Sequence, residues 1–469
     1  MLFSSIPFLY YFLPCVILLY LIAPRFLKNT VLLLSSLVFY AWGEPKYVIW
    51  MILSIILGYV FGLLIEKYRK KGNHRLAKLF MILSVTSSLA VLGYFKYADF
   101  FISNINAVTG LSIPLLKIAL PVGISFYTFQ ILSYTVDVYR GDVAAQKNPI
   151  DLATYVALFP QLIAGPIVRY SDIAEQLRNR NHSFEKISAG MSRFIIGLSK
   201  KILIANFLGE LCDVFKASGD KSVLFFWLYA IAYTLHIYFD FSGYSDMAIG
   251  LGKIFGFDFL ENFNYPYISG SVTEFWRRWH MSLGSWFRDY VYIPLGGNRV
   301  GEARHLFNIF VVWMLTGMWH GAAWNFIVWG LYFAIILMIE KLFLLKYLKK
   351  SKVLNHIYVL LLVIISFVIF DAASMKDAFS YIGSMFGAGG YPLVSAEFVY
   401  YLRSYGVVIL IAMIGSTPLP KLVVGKINNS RVGGKIMTVL APVALCVLLA
   451  VCTACLVDGS YNPFLYFRF

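Results

Sequence analysis

Long apolar stretches separated by short polar ones recur along nearly the whole chain. YYFLPCVILLYLIA (10–23), YVIWMILSIILGYVFGLLI (47–65) and IMTVLAPVALCVLLAVCTACLV (436–457) are three of them. Each is long enough, or nearly so, to cross a hydrocarbon layer of about 30 Å as a helix. That criterion predicts roughly eleven spanning segments, some short or broken by Pro and Gly. The predicted class is an all-α polytopic membrane protein. No sequence repeat, low-complexity tract or linker divides the chain, so residues 1–469 read as one integral-membrane domain. The pattern changes between about 240 and 305, where charges and aromatics mix in a stretch too polar to span simply. A membrane enzyme would place substrate contacts in such a stretch.

Composition excludes a soluble protein: 59% of the 469 residues are hydrophobic, 17% aromatic and only 14% charged, and the mean hydropathy is +0.72. A net charge of +16 raises the possibility of nucleic-acid binding. The basic residues, however, form clusters in loops between apolar segments, with no soluble basic domain to hold a duplex. They read instead as topology. Lys and Arg are retained on the cytosolic side, which puts EKYRKKGNHRLAK (66–78) inside. Alternation then puts 24–29, 346–352 and the run holding Lys421, Lys426, Arg431 and Lys435 inside too. Residues 96–110, the stretch around 375–404 and both termini are expected outside. Arg25 and Lys28 follow the first apolar run rather than precede it, so no cleavable signal is expected. Four of the five cysteines (Cys15, Cys446, Cys452, Cys455) lie in apolar runs. CTAC at 452–455 has no second Cys or His pair beside it, so neither a disulfide framework nor a metal site is expected.

EFWRRWHMSLGSWFRD (274–289) has helical periodicity. Trp276, Trp279, Leu283, Trp286 and Phe287 make one stripe, and Arg277, His280, Gly284 and Arg288 the adjoining one. Such an amphipathic helix could lie in the membrane interface with its arginines among lipid phosphates. Alternatively Arg277, Arg278 and Arg288 meet an anionic cytosolic donor, since guanidinium forks suit phosphates. GLGKIFG (250–256) is one residue off the dinucleotide fingerprint and follows no strand pattern, which excludes nucleotide binding there. Asp240 and Asp246, flanking FSGYS, are either functional intramembrane carboxylates or structural groups, capping a helix or paired with nearby arginines.

The most unusual position is His320, in TGMWHGAAWNF (316–326). Gly317 and Gly321, four apart, suit close helix approach. An imidazole in hydrocarbon must be paired or line an aqueous cavity. Neutral, it has the basicity to take a proton from an alcohol or thiol near pH 7. Trp313, Trp319 and Trp324 would wall a largely dry site, which restrains hydrolysis of an activated acyl group.

Several long stretches resemble the membrane-bound O-acyltransferase family, and within it the branch that acetylates alginate. They are LPVGISFYTFQILSYTVDVYRG (120–141), LFPQLIAGPIVRY (158–170), GYSDMAIGLGKIFGF (243–257), ENFNYPYISGSVTEFWRRWHMSLGSWFRDYVYIPLGGNR (261–299), GMWHGAAWNFIVWGLY (317–332) and YNPFLYF (461–467). The resemblance implies transmembrane helices ringed around a central funnel, with short re-entrant and interfacial helices and a characteristic core over about 115–340. It implies His320 as the central catalytic residue and His280 as a second active-site group. Acetyl-CoA would be the cytosolic acyl donor, a substrate rather than a bound cofactor, held by Arg277, Arg278, Arg288, Trp276 and Trp279. The acyl group would emerge outside, where an SGNH-type acetyltransferase partner and the synthesis machinery of an exported polysaccharide complete delivery. The expected location is the bacterial plasma membrane, with lipid around the protein, and no metal or nucleic acid is expected. At VIFDAAS (368–374) the chain departs from relatives of this branch: Asp371 stands where they usually carry Arg. Two rival functions are a D-alanyl transferase for teichoic acids, fed by a carrier protein, and a transporter. WHGAAWNF resembles the alginate branch more than the D-alanyl one, and the hydropathy shows no inverted repeat.

Overall fold

The computed structural model describes residues 1–163, 165–459 and 461–463. Ala164 and the 464–467 part of YNPFLYF lie outside the described residues, which form helices and loops with no strand among them. Eight helices among the described residues are long and apolar enough to span a membrane. The expectation of about eleven also took in shorter apolar helices such as Pro7–Ile22. Contacts group the chain into two compact units, residues 1–194 with 247–260, and residues 195–246 with 261–469.

In the first unit, α1 (Val48–Lys70) and α2 (His74–Thr109) form a hairpin. The basic stretch 66–78 lies around their turn, where the Asn73 side chain accepts the Leu76 N–H at 3.1 Å and caps α2. The third helix, α3 (Ile124–Arg140), packs on both, and nearly all its residues are buried. Gly62 of α1 admits the Tyr134 ring of α3, for a Cβ there would lie 2.6 Å from the phenol oxygen. That oxygen in turn accepts the Gln146 N–H at 2.9 Å.

The second unit holds the aromatic core. Helix α4 (Val223–Ile254), whose last turns belong to the first unit, is apolar on all sides. It is 78% buried over its most apolar window, against 6% for Arg431–Val457 near the C-terminus. A helix apolar all round can face either lipid or protein, so hydropathy alone does not separate these two. Asp240 on α4 pairs with Lys201, both essentially unexposed, and Asp246 pairs with Lys200 at 2.7 Å. Lysines are thus among the pairing partners of both carboxylates. Lys201 also donates to the Pro463 carbonyl, and Tyr461 donates to Asp213 at 2.5 Å. Cys452 is buried 3.6 Å from the Ser199 hydroxyl.

The stretch 274–289 is not one helix. It divides into α5 (Val272–Trp276) and α6 (Met281–Phe287), and His280 between them has φ 44° and ψ 52°. A left-handed residue stops an α-helix because its carbonyl leaves the hydrogen-bonding direction. Next come α7 (Glu302–His320) and α8 (Trp324–Ile339), packed tightly together, and α9 (Lys352–Asp371), which lies against α8. Gly317 and Gly330 set the α7–α8 approach: a Cβ on Gly317 would lie 2.4 Å from the Phe326 carbonyl and 3.2 Å from the Gly330 Cα. The close contact expected of GMWHG is real, with its partner glycine on the next helix.

Candidate functional site

His280 ends the turn between α5 and α6 and is 2% exposed. Asn262 holds it. The Asn262 main-chain carbonyl accepts the Met281 N–H at 3.0 Å. Its side-chain oxygen accepts the Ser282 N–H at 3.2 Å and the Ser282 hydroxyl at 2.9 Å, and lies 3.1 Å from Nδ1 of His280. The other ring nitrogen, Nε2, has no hydrogen-bond partner among the described residues. The His280 ring packs edge-on to Phe241, with centroids 4.7 Å apart, and its centroid is 5.8 Å from that of Trp319. His280 belongs to none of the candidate spans, and burial lowers its pKa, favouring the neutral imidazole.

His280 faces a cavity of about 600 Å³ shared with Trp276, Arg277, Gly284, Arg288 and Trp313. The predicted stripe of Arg277, His280, Gly284 and Arg288 thus shares one cavity although the helix that would have carried it is broken. Arg277 is exposed and lines that space, and no ion pair or hydrogen bond of its guanidinium is present among the described residues. Arg288 lines the cavity while its guanidinium grips Asp289 through two bonds of 2.7 and 3.0 Å. Trp276 lies in the wall against Trp313, Trp329 and Phe333, with its indole N–H buried and unbonded. Arg278 and Trp279 are elsewhere. Arg278 bonds to Glu274 at 2.8 and 3.0 Å and to the Asn264 carbonyl at 3.1 Å. Trp279 is packed among Phe263, Phe275, Tyr267 and Phe367.

His320 ends α7 and is 8% exposed. Its ring is held edge-on by Trp319 at 4.9 Å, Trp329 at 5.0 Å and Phe370 at 5.2 Å between centroids. The Trp319 ring therefore packs against both histidines. Phe370 has its own further role, lining a second cavity of about 640 Å³ with Lys216, Tyr229, Asn325, Asp371 and Asp377. Asp371 accepts from Tyr229 and Lys216, both at 2.5 Å. The Asn325 amide donates to the Phe370 and Ala372 carbonyls at 3.2 and 3.1 Å, fixing the end of α9. His280 and Trp276 thus line the cavity with arginines, and Phe370, against His320, lines the one built around a carboxylate.

Sequence reading brought out both histidines and the cavity arginines, but neither Asn262 nor Asn325. Asn262 lies 18 residues before the histidine it holds, and no local spacing announces that bond. Among the described residues no three His, Cys, Asp or Glu side chains are grouped to hold a metal ion.

Residues 144–359, which include both histidines and the first cavity, match the membrane-bound O-acyltransferase family. Across its full length and the full length of the relative, the chain is 39% identical to the probable alginate O-acetylase AlgI of Pseudomonas putida. It is 32% identical to the peptidoglycan O-acetyltransferase of Helicobacter pylori, over 98% of this chain and 90% of that one. Similarity to the teichoic acid D-alanyltransferase of Bacillus subtilis is 31% identity over 52% of this chain and 65% of that one. Full-length identity of this order shows that the chain belongs to the membrane-bound O-acyltransferase family and is a multi-pass membrane enzyme that transfers acyl groups to oxygen.

Proposed function

We propose that this enzyme passes acetyl groups from cytosolic acetyl-CoA across a bacterial plasma membrane for O-acetylation of an exported, alginate-like polysaccharide. An SGNH-type acetyltransferase outside the membrane would complete delivery to the polymer. The observation that carries the reading is the first cavity, in which the unbonded Nε2 of a buried histidine shares one space with the unpaired Arg277. The guanidinium suits the phosphates of a CoA, and the histidine supplies an acceptor where a thioester would lie. Beyond Trp319, His320 is the base. Transfer replaces the thioester C–S bond by a C–O bond, so the acceptor hydroxyl gives its proton to an imidazole and the departing thiolate takes one up. The aromatic wall keeps water from competing for the acyl group. The full-length likeness to an alginate O-acetylase supports acetyl and polysaccharide over D-alanine, where the likeness covers about half of this chain.

The test is to measure ester-linked acetyl on the exported polymer by mass spectrometry in a strain lacking this protein. Acetyl esters should disappear and return with the wild-type chain but not with His320→Gln, which keeps size and hydrogen bonding without accepting a proton near neutral pH. Loss of the base should lower transfer from acetyl-CoA by about 10² to 10⁴ in the purified enzyme. Unchanged acetyl content, or loss of D-alanyl esters instead, would overturn the reading.

A further inference from the structure

We infer that Asn262 is a positioning residue that fixes His280 in the tautomer with Nδ1 protonated, so that the bare Nε2 lone pair faces the first cavity. The inference rests on the reading of that cavity as the acyl-transfer site. Its starting point is the orientation of the Asn262 amide. The Ser282 main-chain N–H can only donate, so the Asn262 atom 3.2 Å from it is the carbonyl oxygen. The Ser282 hydroxyl, 2.9 Å from the same oxygen, is a second donor. An amide turned the other way would set an NH₂ group against an N–H. The amide keeps this orientation even though its own Nδ2 is left buried and unbonded.

Nδ1 of His280, 3.1 Å from an oxygen that can only accept, must therefore carry the proton. In the neutral ring that leaves Nε2 as an acceptor, and it is the nitrogen with no partner. The same asparagine also holds the backbone that aims the ring. A non-glycine residue at φ 44° costs about 1 kcal/mol or more and persists only where its surroundings enforce it. Asn262 does so by taking the N–H groups of Met281 and Ser282 on its two oxygens. Strain and tautomer are thus set by one residue, itself wholly buried. Around the ring lie Phe241 and Trp319, and the charged groups of its cavity are Arg277 and Arg288. None of these competes with Asn262 for Nδ1.

Three variants and one spectrum test this. Asn262→Ala frees the ring to exchange tautomers and should lower kcat roughly tenfold or more while leaving KM for acetyl-CoA unchanged, because Arg277 and the cavity walls remain. Ser282→Ala keeps the main-chain donor and the bond between Asn262 and Nδ1, and should lower kcat less than Asn262→Ala does. Asn262→Asp sets a carboxylate against Nδ1 and raises the imidazole pKa. A raised pKa extends the charged form, in which Nε2 carries a proton and cannot accept, to higher pH. The acid limb of the kcat profile should therefore move alkaline. Independently of any variant's folding, ¹⁵N spectra of histidine-labelled wild-type enzyme, with His280 assigned by its loss in His280→Gln, should show a bare Nε2 and a protonated Nδ1. The reverse tautomer would overturn the inference, as would an Asn262→Ala enzyme with unchanged kcat. Should His280→Gln itself transfer acetyl at the wild-type rate, the role given to His280 in the proposed function fails, whatever the spectrum shows.

Discussion

Arg277 and Arg278 are adjacent in sequence but not equivalent in space. Arg278 is committed to Glu274, whose other carboxylate oxygen accepts the Gly270 N–H at 2.9 Å, so it belongs to the framework of the loop before α5. Arg277 is the one exposed to the first cavity. A hydrogen bond to a charged group contributes about 1.5–3 kcal/mol, so Arg277→Ala should raise KM for acetyl-CoA roughly ten- to a hundredfold. Lys at 277 should recover only part, since it offers a point charge in place of a fork. Arg278→Ala should leave KM alone and lower the thermal midpoint of the detergent-solubilised enzyme. Equal KM effects at both positions in steady-state assays would remove the distinction. Periodicity could not tell the two apart, because the choice depends on a carboxylate one helical turn back and on a left-handed residue at 280. It did make the cavity stripe legible, since Arg277, His280, Gly284 and Arg288 keep a common side even across the break.

At the scale of elements, the apolar runs made the helices legible, while several of their starts are set by serine caps. Ser351, Ser374, Ser395 and Ser430 each accept an N–H from the first turn of the helix that follows. The break at His280 was not legible. Its cause is a residue outside the amphipathic stretch, and side-chain periodicity carries no information about backbone φ. The α7–α8 contact stands between these cases: the glycine spacing foretold a close approach but not the partner. Gly317→Ala would drive a methyl group against the Phe326 carbonyl and the Gly330 Cα, backbone atoms that cannot step aside. Overpacking of this kind costs about 1–3 kcal/mol. Thermal unfolding should move down by several degrees, and transfer should weaken because His320 lies three residues further along α7. Gly301→Ala, at the other end of the same helix where no atom lies within 4 Å, is the matched control and should change neither. A Gly317→Ala enzyme as stable and active as wild type would show that the two helices are free to separate.

For the whole molecule, hydropathy settled the class but could not separate helices buried in protein from helices facing lipid, as α4 and Arg431–Val457 demonstrate. Charge adds what hydropathy lacks, a direction. Lys346, Lys349, Lys350 and Lys352 cluster at the start of α9, and the expected bias of such residues to the cytosolic side would put the far end of α9, with Asp371 and the second cavity, outside. Working back along α8 and α7, residue 324 comes outside and residue 302 inside. On this expected topology the first cavity, lined by Arg288 and Tyr292 just before α7, would open toward the cytosol. Transfer across the membrane needs this arrangement, with one cavity reachable from each side and the histidines between. Cysteines introduced singly at Gly284 and Ala373, in a chain whose five native cysteines are replaced, test it with a membrane-impermeant thiol reagent. In intact cells Ala373→Cys should label and Gly284→Cys should not, while inverted vesicles should reverse the result. If the proposed function holds, acetyl-CoA added to inverted vesicles should slow labelling at 284 and leave 373 unaffected, because the proposed donor site is the arginine-bearing cavity. If both positions labelled from the same side, the two cavities would be branches of one entrance, and the acyl group would have no route across the membrane through this wall.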